Sequence, residues 1–375
     1  MLLNSLVFIL SIYVIFIMYI KIKYPFWSKQ PVFHFHNIKY WFNPPGIIDH
    51  TLPKINKFYD NFIIFKKFSE LSDLEIQDAI QLLQQNYLRS KTCNYIPTKS
   101  NVLSYFKNIE TNAIMGLKYK TNYIQNTSHK KCIGIITGKP LQCYLDSKKI
   151  TVNYVDYLCV HKKNRKQKVA PNLIYSYYVT QRNETSNPIF LFKRESAQTM
   201  IVPLTTYLSY AFNISYLKTP KYDNVVKLNN IDFLYNTNIH LNFKCFVTTK
   251  YENLTYLIEN NIIIVYALIY KNKKIAYYFF RDSCTNIDGE KIIDCFASIS
   301  ITTNQKFIYG FINSLIKIRK NYKCETILVE NVANNNVLLE HLAKHYRPKF
   351  KTNSSYYFYN FAYLPIPSNQ VCCIF

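Results

Sequence analysis

The chain has 375 residues, enough for two domains or one large two-part unit with a continuous core. Hydrophobic residues make up 49% and charged ones 18%, which excludes an extended disordered protein. A net charge of +24 favours anionic partners such as an acidic membrane face, a phosphate-rich ligand or nucleic acid. The basic residues are scattered, however, and no segment reads as a DNA-recognition helix or an RNA-binding aromatic signature, so nucleic acid is set aside.

In chain order, Leu6 to Ile20 is an apolar run broken only by Ser11, and Leu2 and Leu3 extend it toward the ~20 residues of a membrane-crossing helix. No Lys or Arg precedes it, whereas Lys21, Lys23 and Lys29 follow. The expectation is an uncleaved single-pass anchor over residues 1–23, contacting membrane lipid, with the bulk of the chain on the cytosolic side. The alternative is a buried core helix. Five N-glycosylation patterns (Asn126, Asn183, Asn213, Asn253, Asn353) would suit a lumenal face, but an Asn-rich chain produces them by chance.

Apolar spacing predicts a helix over Ile76 to Tyr87, preceded by a Ser72/Glu75 capping box. Strands are expected at Cys132 to Thr137 and Tyr154 to Val160. A hairpin follows, Ile262 to Ile269 with Ile275 to Phe280, turning at Lys271 to Lys274. Phe307 to Ile318 reads as a helix, Thr326 to Val329 as a strand, Val337 to Ala343 as a helix and Tyr356 to Phe361 as a strand. The order repeats in each half, which implies an α+β (or α/β) pseudo-repeat with a boundary between Ser209 and Asp232.

Ten cysteines without paired spacing read as free thiols. His34 with His36 and His341 with His345 have metal-pair spacing, but no carboxylate or cysteine completes either set, so no metal is expected. No nucleophile elbow or phosphate-binding glycine loop exists.

The richest stretch starts with the strand Tyr154-Val155-Asp156-Tyr157-Leu158-Cys159-Val160. It runs through His161 into a loop with five basic residues among seven (Lys162 to Lys168), then Val169-Ala170-Pro171. Proline in a first helical turn and free N–H groups beside Lys and Arg make an anion site for a pyrophosphate; the alternative is a solvated basic loop. These residues resemble the acyl-CoA-binding core of the N-myristoyltransferases, where Leu-Cys-Val-His-Lys leads through a basic turn to Val-Ala-Pro. Tyr24-Pro25-Phe26-Trp27 followed by Gln30-Pro31-Val32 is similar to the family's early segment. Thr51-Leu52-Pro53, Gly134, Pro140 and Tyr356 to Asn360 find counterparts in order.

The resemblance implies two pseudo-symmetric acetyltransferase-like halves forming a saddle-shaped sheet: an acyl-CoA half at 24–215 and a peptide-acceptor half at 216–375. It implies transfer of a myristoyl group from myristoyl-CoA, a co-substrate, to the N-terminal glycine amine of a protein, without a prosthetic group. Backbone N–H groups of Tyr157 and Leu158 would form the oxyanion hole, and the terminal carboxylate of Phe375 would be the base. The cofactor-binding set would be Tyr24, Pro25, Phe26, Trp27, Cys159, Val160, Arg165, Lys166, Gln167, Lys168, Val169, Ala170 and Pro171. Tyr87 and Tyr207 would meet the acceptor.

Departures fall mainly on the acceptor side. Asp156 replaces an Asn beside the oxyanion pair and is a rival base. Arg89, Lys91, Arg347, Lys349 and Lys351 stand where acidic residues would attract a basic peptide. The tail Cys372-Cys373-Ile374-Phe375 also fits a prenylation signal, which would remove the proposed base. Two further readings stay open: a catalytically inactive homologue serving as a structural or interaction protein of a membrane, and an acyltransferase acting on lysine or a small amine.

Overall fold

The computed structural model describes all residues except 1, 91, 125, 126, 196–199, 219, 221–223, 237 and 302–304, and omits the side chains of 2, 3, 6, 9, 122–124, 127–129 and 236. Lys91 and Asn126, singled out above, lie outside the described residues. The first helix, α1, spans Leu2–Lys23. It is no core helix: Phe8 is 68%, Leu10 62%, Ile15 66% and Ile22 78% exposed. Among the described residues, no helix is long and apolar enough to cross a membrane, so the expected span is not met there.

The body is one mixed sheet of fifteen strands. The first half supplies β1 (Ile63–Lys67), β2 (Cys93–Tyr95), β3 (Ile114–Ile124), β4 (Thr127–Leu145), β5 (Lys148–Val160), β6 (Phe190–Glu195) and β7 (Thr205–Asn213). The second supplies β8 (Val225–Leu228), β9 (Cys245–Thr248), β10 (Ile263–Tyr270), β11 (Lys273–Ile287), β12 (Glu290–Ser300), β13 (Thr326–Glu330), β14 (Phe350–Tyr359) and β15 (Val371–Ile374). The main path runs β15–β9–β4–β5–β6–β14–β7–β13–β12–β11–β10–β8. Strands of the two halves therefore alternate at the centre. β14 inserts between β6 and β7, and β9 with β15 extends the edge of β4.

Local chemistry explains the pieces. α2 (Asp73–Asn86) starts with both halves of the Ser72/Glu75 box formed, and Ile76, Ala79, Leu82 and Leu83 are buried on one side. Two-residue turns at Asp146–Ser147, Lys271–Asn272 and Asp288–Gly289 all have positive φ, the backbone hand that matches strand twist in tight hairpins. The expected strand to Phe361 stops at Tyr359, because Asn360 turns left-handed at φ 59. Its side chain compensates by accepting from Asp49 N–H and donating to the Asp49 and Pro188 carbonyls.

α3 (Val169–Glu184) packs flat on β4. Gly134 makes this possible: a Cβ there would sit 2.9 Å from Leu173 Cδ1 and 3.0 Å from Val169 Cγ1. α4 (Tyr251–Glu259), α5 (Gln305–Tyr322) and α6 (Asn335–His345) follow, α5 covering β10 and β11 and α6 packing on β13, beside short helices at Ile38–Phe42, Lys99–Leu103 and Asp232–Asn236.

Candidate active site

A cleft of about 1370 Å³ opens along the sheet where the two halves meet. Its walls hold Phe26, Trp27, Leu158, Arg165, Ala170 and Pro171 on one side, Tyr87, Arg89 and Glu195 further on, and Arg281, Glu330 and Phe375 at the floor.

The decisive backbone feature lies in β5. Ile135 pairs with Cys159 and Thr137 with Asp156, so Tyr157 and Leu158 together oppose the single residue Ile136. This is a β-bulge: one extra residue leaves the ladder and re-aims its neighbours. Tyr157 takes φ 46, a left-handed backbone costing an aromatic residue ~1–2 kcal/mol. Tyr157 and Leu158 both line the cleft, and their peptide N–H groups are the donors expected to meet an acyl oxygen.

One of those donors is already used. Tyr157 N–H donates to Asp156 Oδ1 at 2.7 Å. Burial, the largest influence, pushes the Asp156 carboxyl above its usual range, against this N–H and the nearby Lys139, Arg281 and Lys193 charges. The Tyr157 hydroxyl meets that of Tyr95 at 3.3 Å, and Tyr87 stacks edge-on to both rings.

Only part of the expected cofactor set faces the cleft. Phe26, Trp27, Arg165, Ala170 and Pro171 line it; Tyr24, Pro25, Cys159, Val160, Lys166, Gln167, Lys168 and Val169 do not. The reasons differ. Cys159 alternates to the opposite face, where its Sγ lies 3.8 Å from the Leu82 carbonyl, and burial raises its thiol to about 12. Val169 packs over Gly134. Gln167 folds back on Asn164 and the Lys163 carbonyl. Lys166 and Lys168 are exposed and left-handed at φ 65 and 61. Arg165 donates to the Asn86 and Val160 carbonyls, clamping the loop to α2. Gln30 holds the early segment by accepting from Tyr359 Oη and donating to the Phe26 carbonyl, and Trp27 stacks on Phe192.

Tyr87 lines the cleft, but Tyr207 does not. Its hydroxyl donates to Glu330 at 2.6 Å, making it a support for that carboxylate. Glu330 also takes Lys193 at 2.9 Å and Arg281 at 3.0 Å, and Arg281 reaches Asp294 at 3.5 Å. Burial pushes the Asp294 carboxyl up to about 6 despite Arg281, whereas the two cations hold Glu330 below the usual range against its own burial. Sequence reasoning missed this cluster and Lys139. The only signal was a charged residue inside each apolar strand.

β15 runs parallel to β9 and carries the chain end inside the molecule. Phe375 is buried, with its ring 4.5 Å from that of Tyr154. Cys372, the residue a prenyltransferase would modify, is fully buried in the same strand, so the signal is closed in the folded chain. Arg89 and Lys349 line the cleft, but Lys349 is paired with Glu290 at 2.6 Å, while Arg347 and Lys351 lie outside the lining. Among the described residues, no group of His, Cys, Asp and Glu could hold a metal.

A profile of the family Myristoyl-CoA:protein N-myristoyltransferase, N-terminal domain, matches residues 52–191, the segment that carries the bulge and the basic loop. That segment, just over a third of the chain, is similar to the N-myristoyltransferases. The chain is 25% identical over 159 residues to a glycylpeptide N-tetradecanoyltransferase of Aspergillus fumigatus, covering 40% of this chain and 31% of that protein. Against the Plasmodium falciparum enzyme of that name it is 26% identical over 178 residues, covering 41% and 38%. The match thus spans about a third of either relative. Saccharomyces cerevisiae N-myristoyltransferase with bound myristoyl-CoA superposes with a TM-score of 0.70 at 16% identity, covering 92% of this chain and 90% of that one. A second structure of that enzyme gives 0.68 over 92% and 94%. The likeness in fold therefore reaches well beyond residues 52–191.

Proposed function

We propose that this N-myristoyltransferase relative moves an acyl group from myristoyl-CoA to the N-terminal glycine amine of a protein. The observation that carries the reading is the meeting, in one cleft, of the Tyr157–Leu158 bulge, the Arg165 loop and the buried chain end. The pantetheine and diphosphate would lie along Arg165, Ala170 and Pro171, with Lys166 and Lys168 as longer-range cations. The thioester oxygen would face the Leu158 N–H, and the terminal carboxylate of Phe375 would receive the ammonium of the acceptor. Exposed apolar side chains on α1 support a further element: this helix holds the chain at a bilayer, with the cleft on the side of Lys21 and Lys23. Flotation of the full chain with anionic vesicles, lost on deletion of 1–23, tests that element.

One observation favours a second reading. The Asp156 carboxylate sits on an N–H that a transferase needs, as expected of an inactive homologue that retains only the ligand fold. Incubation with labelled myristoyl-CoA and a panel of N-terminal glycine peptides decides between them. Transfer supports the enzyme; acyl-CoA binding without transfer to any amine supports the inactive homologue.

A further inference from the structure

The segment Phe33–Phe42, which follows α1, is fastened to the body on one side and apolar on the other. Phe33 is buried against Val202 and Ala362. Val202 N–H donates to the Phe33 carbonyl at 2.8 Å, and Phe35 N–H to the Met200 carbonyl at 3.1 Å. Trp41 closes the segment, with its ring 5.2 Å from that of Phe33 and 5.6 Å from that of Phe35, and its Nε1–H donates to the Phe35 carbonyl at 3.0 Å. On the outside, Phe35 is 60%, Ile38 58% and Phe42 85% exposed, and Ile38 and Phe42 stand one turn apart on the short helix Ile38–Phe42. Single exposed apolar side chains are ordinary, but three on one short, fixed segment mark a contact surface.

Its neighbours and its charge say what covers it. The exposed apolar helix α1 lies against this segment: Tyr13 Oη donates to the His36 carbonyl at 3.2 Å, and Ile20 is buried. Before Asp49 the chain has no acidic residue, and its four lysines there, Lys21, Lys23, Lys29 and Lys39, are all exposed. Charge of one sign opposes pairing with a second copy of the same surface. It suits an anionic leaflet, where aromatic and apolar side chains settle at headgroup level and lysines stay among the phosphates. We propose that Phe35, Ile38 and Phe42, framed by Trp41, form a second membrane contact beside α1, seated in the headgroup layer of an anionic leaflet. The proposal rests on the reading of α1 as a bilayer-bound helix and adds orientation to it. One helix leaves the body free to swivel, whereas two contacts fix it. His34 Nε2 donates to the Trp27 carbonyl at 2.8 Å, and Trp27 lines the cleft, so the second contact and one cleft wall are a single piece. The cleft is thereby held at a set angle to the leaflet. Three side chains are too few to hold the body alone, and loss of flotation without α1 remains the expectation.

The test uses the full chain reconstituted in anionic vesicles. Trp27 and Trp41 are its two tryptophans, so W27F leaves Trp41 as the sole reporter. Lipids brominated high in the acyl chain should quench Trp41 ~3-fold more than lipids brominated low, and aqueous iodide should reach it poorly, as for an interfacial ring. Adding Ile38→Ser and Phe42→Ser, both on the outside, should return Trp41 to iodide while near-UV circular dichroism keeps its folded form. Strong iodide quenching without bromolipid quenching in W27F overturns the proposal. So does shielding from both quenchers, which would show a protein on this face, and so does unchanged quenching in the serine variant. A second reporter, F16W in a chain with both native tryptophans replaced by Phe, follows α1 alone. If bromolipids quench the F16W reporter and not Trp41, α1 is in the bilayer and the second contact is wrong; if they quench neither, the α1 reading fails and the proposal with it.

Discussion

Two cationic regions border the same cleft and are built on opposite principles. The loop Lys162–Lys168 carries its charges on exposed side chains, held by backbone geometry and by the Arg165 clamp to α2. The floor half-buries Lys193 and Arg281, each 22% exposed, and offsets them with the buried carboxylates Glu330 and Asp294. The first region remains free to exchange its water for a ligand phosphate at little cost. The second has lost most of its water already, and each charge leans on its partners. Lys139 falls between the two: buried like the floor, unpaired like the loop.

The comparison breaks first at Glu330. Glu330→Gln strips a buried partner from two half-buried cations and should cost about 3 kcal/mol in denaturant unfolding, with little dependence on salt. A loss below about 1 kcal/mol would show that the floor is wetter than its burial indicates.

Lys139 gives the next effect. Its folded-state proton affinity is depressed from 10.5 to about 7, so its stabilising contribution is complete above 10.5 and is lost as pH falls toward 7. Relative to K139M, wild type should therefore gain roughly 4 kcal/mol between pH 7 and 10.5, and should be flat below 7. Parallel stability curves for the two proteins would place this amine in water.

Some of this was legible in the sequence. The Ser72/Glu75 box and the Lys271–Asn272 turn depend on neighbours within four residues, and local chemistry decides them. The bulge was not legible, because nothing in Asp156-Tyr157-Leu158 demands a break in pairing without Ile136 opposite. The floor was not legible. Arg281 and Lys193 reach Glu330 across 49 and 137 residues, and in a lysine-rich chain no single lysine stands out. Alternation also limited the cofactor set, since Cys159, within the motif, points away from the cleft. Motif membership identifies a segment, and the pleat decides which of its side chains reach the ligand.

The chain end separates catalysis from binding. Amidating the Phe375 carboxyl leaves the buried Ile374 and Phe375 side chains in place, whereas deleting them would remove core. Transfer should fall ~100-fold or more with myristoyl-CoA affinity unchanged, read by single-turnover assay and calorimetry. Equal rates would remove the carboxylate from the chemistry.

The smallest effect belongs to the loop, and it needs two variants to interpret. Lys166 and Lys168 are exposed, and among the described residues their side chains make no recorded hydrogen bond or ion pair, so replacing both with Ala removes mainly charge. Exposed charges of this kind contribute ~0.2–1 kcal/mol each, which predicts a loss of roughly 2- to 10-fold in acyl-CoA affinity at low salt. That loss should vanish as the Debye length shrinks to about 3 Å near 1 M salt. Adding Arg165→Ala releases the Asn86 and Val160 carbonyls and loosens the loop from α2. The triple variant should then lose more, and the added part should persist at high salt because it reflects geometry. If the double variant binds as wild type at low salt, Lys166 and Lys168 belong to a solvated face, and the anion site contracts to Arg165 and the start of α3.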